Sequence, residues 1–375
     1  MKIEEKPGAD WEEFLGQDPK TLALPDYNSN YFAYSFERTT DETRNIGLRI
    51  TGEFPYARYM SFNVYDGDEG TSYGSLTDFR IRALQNSVNP FVAGSNALAE
   101  NRSYTVTALP EVRSNGEREN EITFGEKINV LTVMLRYYVP QRNAYGGVAL
   151  PKIEAFDTRT GQGVKLPPRY DLKGSKSPGV MALRLAPVFG TAGDDDTLRF
   201  YQVKGSGQFN NFDNSYLICA VEQAAGQVVL IRINPPSFPR SNNEFDKTDV
   251  RYWSFNQGNP DTSTPFGMRD DEFNRNQDGF INIAIGDEII RGTAERRGYN
   301  FMPWKADREK SVILYRNLVT NPQFRANLAR VPETTPKDLE QKNKENLPAK
   351  EAANWIGEYA PTAKKMSQAL FMQGR

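Results

Sequence analysis

A six-residue string occurs twice in this chain. Arg58-Tyr-Met-Ser-Phe-Asn63 returns as Arg251-Tyr-Trp-Ser-Phe-Asn256, the two differing only at Met60 and Trp253. Upstream of each copy, Tyr27-Asn-Ser-Asn-Tyr31 through Glu37 lines up with Phe212-Asp-Asn-Ser-Tyr216 through Glu222. Phe54-Pro55 and Phe238-Pro239 follow those elements in the same order. Downstream, Val133-Met-Leu135 with Arg136 matches Val312-Ile-Leu314 with Arg316. One hexapeptide match arises by chance, but several in the same order point to two diverged copies of one unit. The 375 residues hold two domains of ordinary size. The boundaries expected are a first unit over 27–151, a connection over 152–196, a second unit over 197–330 and a tail over 331–375.

The units read as β structure. Tyr31-Phe-Ala-Tyr-Ser-Phe36, Leu48-Arg-Ile-Thr51, Tyr59 to Val64, Ser103 to Thr107 and Val130 to Leu135 are short runs rich in aromatic and β-branched residues. Turn clusters such as Asp66-Gly67-Asp68 and Gly146-Gly147 bound them. The fold class expected is mainly β, with two antiparallel β-sandwich or jelly-roll-like units. A short N-terminal helix is expected around Asp10 to Leu15, ended by Gly16 and Pro19, and a partly helical C-terminal tail. In that tail, Pro336 to Glu345 is too polar to fold alone. The segment 351–371 carries Trp355, Ile356, Tyr359, Met366, Leu370 and Phe371, which need a surface to cover them. Its own body and a second chain are the two surfaces open to it, the second making it an exchanged arm for self-association or partner contact.

Histidine is absent. That removes Ser-His-Asp triads, Cys-His dyads and histidine-ligated zinc or iron sites together. The lone cysteine, Cys219, lies in the apolar run Tyr216-Leu-Ile-Cys-Ala-Val221 and reads as a buried core residue. With 46 basic and 48 acidic residues the net charge is −2, so no nucleic-acid partner is expected. Apolar runs are too short for a membrane span. The chain reads as cytoplasmic if Met1 is native, and as periplasmic or secreted if a signal peptide was removed.

Strand alternation sorts the repeated hexapeptide into two faces. Arg58, Met60, Phe62 and Val64 share one face; Tyr59, Ser61, Asn63 and Tyr65 share the other. Trp253 and Phe255 oppose Tyr252, Ser254 and Asn256 in the second copy. The Met/Trp and Phe positions are the core candidates. The Tyr-Ser-Asn row is left as solvent face, inter-unit contact or pocket lining.

Two other clusters bear on chemistry. Asn274-Arg-Asn-Gln-Asp278-Gly279 imitates the start of a calcium loop, with Asn274, Asn276 and Asp278 as metal candidates. Ile285 stands at the twelfth position, where a bidentate carboxylate is needed, so a turn is the favoured reading and no metal is expected. The run Asp194-Asp-Asp196 reads as a solvated loop. Asp66, Asp68, Glu69 and Asp78 follow the first hexapeptide, and Asp270, Asp271 and Glu272 hold the corresponding place in the second. A carboxylate- or divalent-metal-dependent hydrolase or lyase would draw on Asp66, Asp78, Asp270 or Asp271. Ion pairs with Arg80, Arg82 and Arg269 are the structural alternative. Gly205-Ser-Gly207 and Gly146-Gly147 lack phosphate-loop spacing, and no cofactor is expected.

Tyr27–Phe36 and Arg58–Asp66 in the first unit resemble a group of uncharacterised bacterial proteins, as do Asp213–Leu217, Arg251–Phe255, Trp304 and Val312–Phe324 in the second. That group is related to exported proteins that pair two β-rich domains of unknown function. The resemblance implies a pair of β-sandwiches and a signal peptide in relatives. It implies no activity and no catalytic residues.

The functional expectation is a small-molecule or glycan-binding protein with its site near the interface of the two units. Arg58, Tyr59, Asn63, Arg251, Tyr252 and Asn256 are the ligand-binding candidates, because aromatic and amide side chains suit apolar or sugar faces. The hydrolase or lyase is one alternative. A structural or assembly subunit acting through its C-terminal tail is the other.

Overall fold

The computed structural model describes residues 10–18, 21, 24–111, 119–174, 196–203, 209–334 and 350–374. Asp194-Asp195, Gly205-Ser-Gly207 and Pro336 to Glu345, singled out above, lie outside the described residues.

The first half of the chain supplies β1 (Glu12–Leu15), β2 (Ser29–Glu37), β3 (Ile46–Glu53), β4 (Tyr59–Asp66), β5 (Ser72–Thr77), β6 (Ser103–Pro110), β7 (Glu121–Phe124), β8 (Val130–Tyr138), β9 (Lys152–Asp157) and β10 (Gly163–Val164). They form two sheets, ordered β1-β2-β8-β4-β5 and β10-β9-β3-β6-β7. Phe32, Met60, Phe62, Val64 and Leu135 of one meet Leu48, Ile50, Val106 and Ile153 of the other in a closed apolar core. This is β-sandwich packing, driven by apolar side chains at every second position.

The second half supplies β11 (Thr197–Leu198), β12 (Gln202–Val203), β13 (Asn214–Val221), β14 (Gln227–Ile233), β15 (Val250–Gly258), β16 (Phe266–Arg269), β17 (Ile281–Gly286), β18 (Asn300–Pro303), β19 (Ser311–Thr320), β20 (Glu333–Thr334) and β21 (Thr362–Ser367). Its sheets run β13-β19-β15-β16 and β11-β21-β14-β17-β18, with β12 and β20 paired separately. Leu217, Trp253, Phe255 and Ile313 close a core against Val229, Ile231, Ile283 and Ile285. The lone thiol lies in this core; burial pushes Cys219 up to about 12.

The registers of the two halves match. Arg136 of β8 stands opposite Tyr31 and Ser61, and Arg316 of β19 stands opposite Tyr216 and Ser254. β6 pairs β7 in parallel, as β17 pairs β18, while β3 and β14 are each flanked by antiparallel strands. The expected alternation is present: Met60 and Phe62 point into the first core, Trp253 and Phe255 into the second. The opposite faces carry Tyr59 and Tyr252 into a third buried cluster between the halves. Four layers of sheet result. Strands β4, β8 and β15 are buried along nearly their whole length because each inner sheet is covered on both sides.

Three expectations are corrected. Glu12–Leu15 is a strand, not a helix: it pairs antiparallel with β2, and its burial alternates residue by residue. A segment this short forms no stable helix alone, whereas the β2 edge supplies a backbone ladder and Trp11 Nε1 donates to Pro151 O at 2.8 Å. Lys152–Asp157, expected in the connection, is β9 and pairs with β3. Thr362–Ser367, expected in a tail, is β21 and pairs with β14 as β9 pairs with β3. Beyond it, the helix Gln368–Met372 lays Phe371 on the outer face of the last sheet, against Tyr299 and beside Val228, Ala284 and Ala294. The terminal segment thus docks on its own body, burying Ile356 and Phe371 and leaving Trp355 and Leu370 exposed. No helix among the described residues is long and apolar enough to cross a membrane.

Candidate functional site

The seam between the halves is built by exchange. The segment before β2 crosses onto the second half, where Leu24 N donates to Thr262 O at 2.6 Å and Tyr27 N to Asn256 Oδ1 at 2.9 Å. The segment before β13 crosses the other way: Phe209 N donates to Gly70 O at 2.9 Å and Tyr65 Oη to Asn210 O at 2.7 Å. Leu24 and Phe209 both adopt positive φ, 45° and 53°, a conformation costly for a side-chain-bearing residue. Each turns its carbonyl to a buried arginine of the opposite half, Leu24 to Arg316 and Phe209 to Arg136.

The hexapeptide arginines are exchanged in the same way. Arg251 Nη1 lies 2.6 Å from Asp78 Oδ1. Arg58 reaches both Asp270 and Asp271, the second at 2.8 Å. Each acceptor also takes a backbone N–H of its own half, Asp78 from Met60 at 2.8 Å and Asp270 from Trp253 at 3.1 Å. Burial nevertheless pushes both carboxyls up to about 6, Arg251 and Arg58 opposing the rise. The tyrosines follow suit. Tyr59 donates to Asp213 at 2.7 Å, and Tyr252 to Asp26 at 2.7 Å. Burial, and then the neighbouring carboxylate, holds each phenol well above its ordinary range.

All six ligand-binding candidates therefore meet at the seam. Four of them, Tyr59, Asn63, Tyr252 and Asn256, are fully buried and hydrogen-bonded to other protein groups. Of the three readings left open for the Tyr-Ser-Asn row, inter-unit contact is what the structure places there. Arg58 and Arg251 remain on the walls of surface clefts.

The catalytic candidates are spread and occupied. Asp66 accepts from Asp68 N and Glu69 N in the turn after β4. Asp78 and Asp270 hold the exchanged arginines, and Asp271 also pairs with Arg269 at 2.6 Å. Asn274, Asn276 and Asp278 lie in and before a turn leading into β17, where Asp278 accepts from Phe280 N at 3.0 Å and pairs with Arg232 at 2.9 Å. Among the described residues no group of three or more acidic or thiol side chains is placed to hold a metal ion.

Clefts open along the seam, and two of them are walled by the exchanged arginines. The first, about 640 Å³, is walled by Phe79, Phe91, Phe212 and Phe245, with Arg251, Asp213 and Asp246 among its polar lining. Phe79 and Phe212 remain 43% and 51% exposed, unusual for rings of this size. The second, about 540 Å³, shares Phe91 and Phe245 with the first and is lined by Tyr56, Arg58, Arg240, Arg269 and Asp271. The first cleft departs from the other half of the chain at matched positions: Phe79 follows Asp78 where Asp271 follows Asp270, and Asp213 stands where the first half has Asn28. Arg58 thus has two carboxylate partners and Arg251 has one.

Phe79, Phe91, Phe245 and Asp246 carry no mark of a site in the sequence pattern, and Phe212 and Asp213 stand out there only as part of the repeated element. A signal for part of the set was nevertheless available, since at Phe79 and Asp213 the aligned segments of the two halves differ by a ring for an acid and an acid for an amide. Phe91 and Phe245 lie in segments with no counterpart to compare.

The fold is similar to that of an uncharacterised protein from Burkholderia cenocepacia, with a TM-score of 0.58 and 14% identity over 96% of this chain and 82% of that one. A protein from Vibrio parahaemolyticus gives a TM-score of 0.44 and 11% identity over 92% and 90%. No family model matches the chain, and no curated protein matches it.

Proposed function

We propose that this chain is a binding protein for a small molecule or glycan, and that the phenylalanine-walled cleft at the seam of its two halves is the site. The observation that carries this reading is the cleft itself: about 640 Å³, in the range of ligand pockets, with exposed Phe79 and Phe212 facing a junction of two domains. Aromatic walls suit the faces of sugars and of apolar rings. In this reading the halves are two diverged copies of one sandwich, the first running from Tyr27 through β9 and the second from β11 through β21. The exchanged segments and the Arg251–Asp78 and Arg58–Asp270 pairs fix the copies against each other, so the cleft is preformed.

The test is a thermal-shift screen of aromatic fragments and of neutral and acidic oligosaccharides, run on the wild type and on Phe212→Ala. Phe212 is exposed, so its truncation leaves the core intact. The reading expects hits whose stabilisation disappears in the variant. Hits that persist undiminished in Phe212→Ala, or a screen without hits, would overturn it.

A further inference from the structure

We infer that the ligand of the phenylalanine-walled cleft is a small organic cation, an ammonium or quaternary ammonium compound. This deepens the binding reading above and rests on it. Three ionisable side chains line the cleft among the described residues: Arg251, Asp213 and Asp246. The arginine is already matched, its Nη1 donating to Asp78 at 2.6 Å and its side chain only 4% exposed. The two remaining carboxylates have no cationic partner among the described residues. Asp213 takes the Tyr59 and Thr77 hydroxyls on Oδ2, at 2.7 and 2.6 Å, and Oδ1 accepts no hydrogen bond among the described residues. Asp246 is exposed. The ionisable side chains lining the cleft therefore sum to a net negative charge.

Its aromatic walls favour a cation as well. The face of a phenyl ring attracts cations, and two of these rings already hold one: the Arg251 guanidinium carbon lies 4.1 Å from the centroid of Phe245 and 5.4 Å from that of Phe79. Phe212 is the exposed ring that carries no such partner among the described residues. The adjoining cleft has the opposite character, with Arg58, Arg240 and Arg269 against Asp271. The acid that a matched position would have placed beside Arg251 is replaced by Phe79, and an acid appears at Asp213 in place of an amide. Ring and acid together make a site for a charge that is diffuse and poorly hydrated, the chemistry of a substituted ammonium.

Choline and 3,3-dimethyl-1-butanol have the same shape and differ in charge, so they separate the two readings. Saturation-transfer NMR titrations of the full chain are expected to show choline binding about tenfold more tightly than the alcohol. That advantage should shrink in Asp246→Asn and in high salt, and binding of both should fall away in Phe212→Ala. Equal affinity for the two probes would overturn the cation inference while leaving the cleft as the site. Saturable choline binding that Phe212→Ala does not weaken, or no saturable binding of either probe, would overturn the cation inference, while the binding reading stands or falls by the fragment and oligosaccharide screen.

Discussion

Arg251 and Asp78 lie 173 residues apart in sequence and 2.6 Å apart in space, each donated by a different half of the chain. Arg58 and Asp270 repeat the exchange in the other direction. Neither member of the first pair is appreciably exposed, so removing one leaves a buried charge without its partner. Arg251→Ala is expected to destabilise the protein by about 3–5 kcal/mol in urea unfolding. Asp78→Ala added to it should cost much less than a second such increment, because the two groups compensate one another. Additive losses would mean that the pair is not coupled.

The same pair gives a pH dependence. Asp78 titrates near 6 when folded, against 3.8 for the free side chain, because burial outweighs Arg251. The folded state therefore takes up this proton before the unfolded state does as pH falls. The contribution is fully present below the free value and is lost as pH rises through 6. Between about pH 7.5 and pH 5, the stability of the wild type relative to Asp78→Asn is expected to rise by about 1 kcal/mol. A difference that stays flat, or moves the other way, would show that Asp78 is ionised across the range.

Phe371 tests the terminal segment. It is fully buried on the outer face of the sheet that β21 completes. Phe371→Ala is expected to cost about 3–5 kcal/mol without changing the mass measured in solution by light scattering. A change of assembly state with little loss of stability would instead support the exchanged-arm reading.

Cys219 offers a check on the second core. Its thiol is buried and raised to about 12, which leaves little thiolate at neutral pH. A thiol reagent such as Ellman's should leave the native protein unmodified over hours and titrate one equivalent in guanidinium. Rapid native reaction would mean that the Cys219 strand is open to solvent.

Much of the fold was legible because it follows from local chemistry. Met60 and Phe62 against Tyr59 and Asn63 is a period-two pattern that any half-buried strand writes into its sequence. The pattern left the second face undetermined, because a Tyr-Ser-Asn row suits water, a partner sheet or a pocket equally. Only the crossing segments, with Asp26 meeting Tyr252 and Asp213 meeting Tyr59, decide it. β9 and β21 were misplaced for a similar reason. Lys152–Asp157 and Thr362–Ser367 gain strand character from the β3 and β14 edges they complete, not from strong propensity of their own. The cleft was illegible because Phe79, Phe212 and Phe245 converge from three distant segments.

The central claim, that the seam cleft is the binding site, is tested most directly by locating a heavy-atom fragment in a crystal. Crystals soaked in 4-bromobenzyl alcohol, a neutral aromatic probe independent of the charge argument, give a bromine anomalous signal that marks the bound position. The account predicts the strongest peak among Phe79, Phe212 and Phe245. A strongest peak elsewhere, such as beside exposed Trp355 and Leu370, or no peak at saturating concentration, would contradict it.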